Sequence, residues 1–193
     1  MKQVEIEFKN MLTQTEYERL LHFFAVQPEQ IITLRNDYFD TADFSIKKLQ
    51  SALRIRETSQ YIECTLKEAD TANRSIETTI PLSAVEAQQM RNTGIPPLPI
   101  KKHLQSKGVD PTTIACFGSL TTERVELPYH GGTLVLDHTF YLQKEDFEVE
   151  YEAADEKIGA TIFSEFLHKQ QIPKRATDKK IARFNYALHA QKG

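Results

Sequence analysis

The chain has 193 residues, 24 of them basic and 27 acidic, for a formal net charge of −3. That near-balance gives no global attraction to nucleic acid or to an anionic membrane, and a hydrophobic content of 40% is too high for a disordered chain. Two cysteines, Cys64 and Cys116, exclude a disulfide-rich secreted scaffold and a zinc site of four thiolates. No apolar run approaches the ~18 residues of a membrane span, and Met1 to Glu5 lacks the apolar stretch of a signal peptide. The expectation is therefore a cytoplasmic protein with reduced thiols, folded as a single domain over residues 1–193. None of the glycines falls in G-x-G-x-x-G or G-x-x-x-x-G-K-[ST], so Rossmann and P-loop readings are unsupported.

In chain order, Val4 to Phe8 alternates strictly between apolar and charged residues and predicts a strand. Thr13-Gln14-Thr15-Glu16 has the form of a capping box, and Tyr17, Leu20, Leu21 and Phe24 then share one helix face. Ile31 to Phe39 is rich in β-branched and aromatic residues, as strands are. Ala52 to Arg56 and Tyr61 to Lys67 form a predicted hairpin about Thr58-Ser59-Gln60, and Ser75 to Ile80 is a further strand stopped by Pro81. A second capping box, Ser83 to Glu86, opens a short helix, and Gly94 to Pro99 breaks the chain. Another short helix covers Ile100 to Ser106. Thr113 to Leu127 and Thr133 to Leu136 pair about His130-Gly131-Gly132, and Phe140 to Leu142 and Phe147 to Glu152 continue the meander. A helix from about Glu156 to Lys169 buries Ile158, Ile162, Phe163, Phe166 and Leu167. The last helix runs from about Asp178 to His189, with Thr177 as its N-cap. Eight or nine strands with antiparallel-compatible connections and five or six helices make an α+β fold.

The polar faces of these strands carry the chemistry. Side chains alternate faces along a strand, so Glu5, Glu7 and Lys9 oppose Val4, Ile6 and Phe8. Arg54 and Arg56 oppose Leu53 and Ile55; Glu63, Thr65 and Lys67 oppose Ile62, Cys64 and Leu66; Glu148, Glu150 and Glu152 oppose Phe147, Val149 and Tyr151. Any one such face reads as an ordinary solvated surface. The set does not, because one strand presents only arginines and another only glutamates. Like charges at i and i+2 lie about 7 Å apart and repel. They are tolerated beside counter-ions or an opposite strand, or within a closed barrel whose interior is polar. In such a barrel carboxylates suit hard divalent cations and guanidinium forks suit phosphate. The apolar faces would then point outward, under helices.

Glu5-x-Glu7-x-Lys9 resembles the E-x-E-x-K signature of the CYTH superfamily, also called the triphosphate tunnel metalloenzymes. The likeness continues in order through Tyr38-Phe39-Asp40-Thr41, Leu53-Arg54-Ile55-Arg56, Thr65-Leu66-Lys67, Glu77, Arg124, Asp137 and Glu148-x-Glu150, and reaches the basic segment from Lys174 to Lys180. It implies a closed eight-stranded antiparallel β-barrel, a tunnel with helices packed outside, that binds a small-molecule triphosphate with Mg²⁺ or Mn²⁺. By the same resemblance, Glu5, Glu7, Asp137, Glu148 and Glu150 are the metal-binding carboxylates, and Lys9, Arg54, Arg56, Lys67 and Arg124 the phosphate-binding cations. Arg175, Lys179 and Lys180 compete for one further basic position, for which Lys179 is chosen. Glu5, Glu7, Lys9, Glu148 and Glu150 form the catalytic set, and Glu63 and Glu77 are tunnel-facing by parity.

The function expected is metal-dependent hydrolysis of inorganic triphosphate or a small organic triphosphate, by a monomer or homodimer with no nucleic-acid or membrane partner. The alternatives are a class IV-type adenylate cyclase, or a non-catalytic polyphosphate or nucleotide binder. Paired carboxylates argue against a binder that works without metal. No segment is assignable to reading adenine, which favours hydrolysis over cyclisation. His138 points away from Asp137 by parity, and Cys64 lies on the apolar side of its strand as a buried, inert thiol.

Overall fold

The computed structural model describes residues 1–175, 178 and 180–192. Its eight strands are β1 (Lys2–Leu12), β2 (Ile32–Thr41), β3 (Ser51–Glu57), β4 (Ile62–Ala69), β5 (Arg74–Pro81), β6 (Ile114–Tyr129), β7 (Gly132–Tyr141) and β8 (Lys144–Ala153). They close into an antiparallel barrel in the order β1-β5-β4-β3-β2-β6-β7-β8. The helices are α1 (Gln14–Phe23), α2 (Ser45–Lys48), α3 (Ala84–Thr93), α4 (Leu98–Ser106), α5 (Glu156–Lys169) and α6 (Lys180–Lys192). None of those described is long and apolar enough to cross a membrane. The α+β architecture expected from the sequence is the one found.

Two elements differ from the expected pattern. The segments Thr133–Leu136 and Phe140–Leu142 are one strand, β7, because Asp137 and Thr139 keep the two-residue alternation and stay paired with Glu148 and Asp146 on β8. The chain then reverses at Leu142 and Gln143, both at positive φ. On α5, Ile158 is exposed at 63%. The buried stripe of this helix is Gly159, Phe163, Phe166 and Leu167, and Ile158 lies about 100° away from Gly159. The two capping boxes form as expected: Thr13 Oγ1 accepts from the Glu16 amide and Ser83 Oγ from the Glu86 amide. The expected N-cap Thr177 lies outside the described residues.

The chain packs as two compact units. The first comprises Met1–Val4 and Leu34–Leu120. Its core is the outward face of the strands: Phe39, Leu53, Ile55, Cys64 and Leu66 pack under Ile46 of α2, Ala87 and Met90 of α3, and Ile100 and Leu104 of α4. Burial pushes the Cys64 thiol up to about 12, so it stays protonated among apolar neighbours. Gly94 ends α3 at φ +73°, and a Cβ there would lie 1.7 Å from the Ile114 carbonyl oxygen, so both conformation and space require glycine. The second unit comprises Glu5–Thr33 and the chain from Thr121 onward. Here Val125, Leu127, Leu134, Leu136, Phe147, Val149 and Tyr151 pack outward under Tyr17 and Leu20 of α1 and Phe163, Phe166 and Leu167 of α5. Each large apolar side chain so buried contributes roughly 1.5–3 kcal/mol.

One polar anchor holds α3 on the first unit. Asp37 on β2 is buried and accepts hydrogen bonds from Arg35 Nε (2.9 Å), Arg91 Nε of α3 (2.8 Å) and Ser119 Oγ (2.5 Å). Burial opposes its ionisation, but Ser119, Arg91 and Arg35 outweigh burial and hold the carboxyl below the usual aspartate range. Because the folded pKa is depressed, this contribution is complete above the unfolded value of about 3.9 and is lost as pH falls below it. Replacing Asp37→Asn removes one of the two carboxylate partners of Arg91, the other being Glu57, and is expected to cost about 1.5–3 kcal/mol in urea unfolding at pH 7. The difference between variant and parent should shrink in the same measurement at pH 3.

Candidate functional site

Inversion of the barrel's polarity follows from the outward cores: the charged faces must turn inward. In the second unit the β1–β8 register sets Lys9 opposite Glu150 and Glu7 opposite Glu152, and β7–β8 sets Asp137 opposite Glu148. The β6–β7 register sets Arg124 opposite Asp137. Asp137, Glu148 and Glu150 are all buried, and each offers a carboxylate oxygen such that the three lie within 4.8 Å of one another.

Cations from three elements neutralise this trio. Arg124 donates from Nε and Nη2 to Asp137 (2.8 and 2.6 Å) and from Nη2 to Glu150 (3.0 Å). Lys9 lies 3.3 Å from Glu150 and pairs with Glu7. Lys180, the first residue of α6, places Nζ 2.8 Å from Asp137 and 2.9 Å from Glu150, and donates to Glu148 as well. One turn on, Arg183 donates to Asp146 (2.9 and 3.1 Å) and to Glu148. Thr122 and Thr139, 3.2 Å apart, fill the layer beside Arg124 with a hydrogen bond between hydroxyls.

The surroundings divide the carboxylates. Burial works against ionisation of Glu150, yet Lys180, Lys9 and Arg124 hold it well below the ordinary range. Asp137 is likewise held low against its burial, by Arg124 and Lys180. Glu148 is pushed up to about 7, by burial first and then by the Glu150 charge, against the pull of Lys180. Glu152 rises to about 7 through burial and the neighbouring Glu5. Burial also opposes the charge on Lys9 and Lys180, and the carboxylates more than restore it, so both remain ammonium ions.

The first unit carries a separate charged face. Arg54 and Arg56 on β3 stand opposite Thr65 and Glu63 on β4, and Lys67 stands opposite Glu77 on β5. Lys67 Nζ is 3.3 Å from Glu77, Arg54 is 3.8 Å from the same carboxylate, and Arg56 Nε donates to Asn36 Oδ1 at 3.1 Å. Among the residues expected from the sequence, Glu5, Glu7, Lys9, Arg124, Asp137, Glu148 and Glu150 thus belong to the second unit, and Arg54, Arg56 and Lys67 to the first. Lys179 lies outside the described residues. Among the described residues of that C-terminal basic segment, Lys180 is the one that reaches the carboxylates, and Arg183 and Glu152 join it there. The helical spacing of Lys180 and Arg183 with buried Phe184 and Ala187 marks that inward stripe. His138 points outward and stacks on Phe147, 4.2 Å between ring centroids.

Hard oxygen donors converging from three buried carboxylates suit a hard divalent cation such as Mg²⁺ or Mn²⁺. A closed antiparallel barrel with charge inside, apolar faces outside and helices over them defines the class. Residues 3–185 match the family model described as CYTH domain, and the chain belongs to that family. It is 40% identical over 184 residues to the Bacillus subtilis (strain 168) protein named "Putative triphosphatase YjbK", covering 95% of each chain. A Bacillus halodurans structure described as "a putative adenylate cyclase" superposes with a TM-score of 0.90 at 34% identity, covering 95% of this chain and 98% of that one. A Hippeastrum protein described as "Putative adenylyl cyclase HpAC1", with "a dominant triphophatase activity", shares the fold at a TM-score of 0.79 and 20% identity over 96% of each chain.

Arg124 is the buried cation shared by Asp137 and Glu150. Truncating it by Arg124→Met should destabilise the protein by about 3–5 kcal/mol, since buried carboxylates lose their partner. The double variant with Asp137→Asn should lose less than the sum of the two single variants. Urea unfolding of all four proteins reads the coupling directly.

Proposed function

We propose that this chain is a metal-dependent hydrolase of a triphosphate, either inorganic triphosphate or a small organic triphosphate. The observation that carries the reading is the buried trio Asp137, Glu148 and Glu150 set among Lys9, Arg124 and Lys180. A site for a bare anion gains nothing from adjacent buried carboxylates; a site for a phosphate chain with a divalent cation needs both signs. The 40% identical relative that bears a triphosphatase name supports the same reading.

Glu5, Glu7, Asp137, Glu148 and Glu150 would hold Mg²⁺ or Mn²⁺. When bound, such an ion supplies Lewis-acid charge to phosphoryl oxygens. Lys9 and Arg124 bind phosphate oxygens beside the carboxylates and fix the terminal phosphorus for attack by water, and Arg54, Arg56 and Lys67 are phosphate-binding groups of the first unit. Guanidinium groups suit this task because their donors form a planar fork. A carboxylate of the set takes the proton of the attacking water as the terminal P–O bond breaks. Positioning and charge neutralisation supply most of the acceleration, as in other phosphoryl transfers.

A second reading, cyclisation of ATP, draws on the 34% identical structure described as "a putative adenylate cyclase". There the ribose 3′-hydroxyl would attack the α-phosphorus instead. Incubation with inorganic triphosphate, pyrophosphate, ATP, GTP and thiamine triphosphate under Mg²⁺ and then Mn²⁺ separates the two. Phosphate release from triphosphate is expected; cyclic AMP as the main product, with triphosphate intact, assigns the cyclase.

Chelation of divalent cations should abolish turnover, and so should Glu148→Gln or Glu7→Gln, each of which removes a negative charge with little change of shape. Arg54→Ala and Arg56→Ala should each lower kcat/KM by roughly 10- to 100-fold, the equivalent of about 1.5–3 kcal/mol for a charge-assisted hydrogen bond. Turnover that persists in excess chelator overturns the metal-dependent mechanism.

A further inference from the structure

Lys180 occupies the point on which the trio converges. Its Nζ reaches Asp137, Glu148 and Glu150 together. The three carboxylate oxygens lie within 4.8 Å of one another, close enough to converge on a single hard cation. An ammonium already hydrogen-bonded to the same oxygens leaves no room there for a metal ion. We propose that Lys180 is the resident counter-ion of this cradle and that it exchanges with a divalent cation, so that ammonium and metal occupy the site in alternation. The proposal rests on the reading of the trio as the metal-holding group.

Charge favours exchange over addition. The carboxylates of the connected set are Glu7, Asp137, Asp146, Glu148 and Glu150, and its cations are Lys9, Arg124, Lys180 and Arg183, so with every group charged and Lys180 seated it carries one net negative charge. Adding a divalent ion with Lys180 still in place would leave one uncompensated positive charge in a buried site. Withdrawing Lys180 leaves none, and burial cost rises steeply with uncompensated charge. Lys9 and Arg124 are less free to leave. Both stand on strands of the barrel, whereas Lys180 begins a helix on a separate segment.

That segment is anchored just before the helix. Asn10 on β1 is buried and donates from Nδ2 to the Pro173 carbonyl (3.1 Å), and its Oδ1 accepts from the Arg175 amide (2.6 Å). The Arg175 guanidinium donates to Glu16 of α1 (2.7 and 3.0 Å) and to the Met11 carbonyl (3.0 Å). The strap at residues 173–175 is thus held by contacts that do not involve Lys180.

The test measures metal binding and lysine accessibility without any triphosphate. Mn²⁺ is titrated by electron paramagnetic resonance into the parent protein and into Lys180→Met. The variant should bind about tenfold or more tightly, because no competing cation has to be displaced. In the parent, acetylation of each lysine is followed by mass spectrometry with and without saturating Mn²⁺. Lys180 should be protected without the ion and become reactive with it, while exposed Lys48 and Lys169 keep their rates. Equal or weaker Mn²⁺ binding by the variant overturns the exchange, as does continued protection of Lys180 in saturating Mn²⁺. If the variant does not fold, the labelling of the parent decides alone. Failure of both proteins to bind Mn²⁺ removes the exchange and the metal-dependent mechanism together. Exchange without triphosphate turnover leaves this inference standing and removes only the hydrolase reading.

Discussion

Glu148 and Glu150 stand two residues apart on one strand with both side chains buried on the same face. At that spacing their charges repel through a medium that screens poorly. Neighbouring elements answer the repulsion: Lys9 from β1, Arg124 from β6 and Lys180 from α6 each bring a cation to the pair or to Asp137 beside it. None of the three is close in sequence to Glu148. Strand register brings two of them, since Lys9 faces Glu150 and Arg124 faces Asp137 across their ladders, and Lys180 arrives from α6. The ion pairs therefore hold only in the folded barrel, and the barrel's inner face is tolerable only with them. The first unit repeats the solution with signs exchanged, where Glu77 lies between Lys67 and Arg54.

Placing charge inside has a structural counterpart outside. A barrel of this kind has no central hydrophobic core, so its apolar residues must find cover on the outer surface. The first unit buries Leu53, Ile55 and Leu66 beneath α2, α3 and α4, and the second buries Val125, Leu136 and Val149 beneath α1 and α5. The helices are thus the lids of two cores. Gly159 shows how closely α5 is drawn down: a Cβ there would lie 2.6 Å from Ala153 Cβ and 2.7 Å from the Phe8 ring. The carboxylates are held in position by groups of the inner face, and the strands that bear them are held by packing on the other.

Much of this was legible in the sequence because strand alternation is a local property. The opposition of Glu5, Glu7 and Lys9 to Ile6 and Phe8, or of Glu148 and Glu150 to Phe147 and Val149, needs only a period of two. Capping boxes at Thr13 and Ser83 were legible for the same reason, since they lie within four residues. Less visible were features that depend on rotation about a helix axis or on distant contacts. Ile158 lies next to the buried stripe of α5 and still faces solvent. On α6, the stripe that turns inward passes through Lys180 and Arg183, and its place is fixed by Phe184 and Ala187 only once the helix has packed. Only Arg35 among the partners of Asp37 is local; Arg91 and Ser119, which tie it to α3 and β6, are 54 and 82 positions away. The division of the carboxylates, with Glu150 held low and Glu148 pushed up, depends on burial and on cations that assemble only in three dimensions.

The two-residue alternation of β8, with Phe147, Val149 and Tyr151 outward and Glu148 and Glu150 inward, also limits how such a chain can change in length. Deleting one residue from the middle of this strand would exchange the two sets beyond the deletion, driving glutamates into the aromatic core and aromatic rings among the ion pairs. Removing two residues would preserve the faces and move only the register. Gains and losses of sequence are therefore tolerated in pairs within strands and singly only at bulges or in connections such as Thr58 to Tyr61, where no alternation has to be kept in phase. The barrel's inverted polarity makes it a reading frame of two, written in side chains.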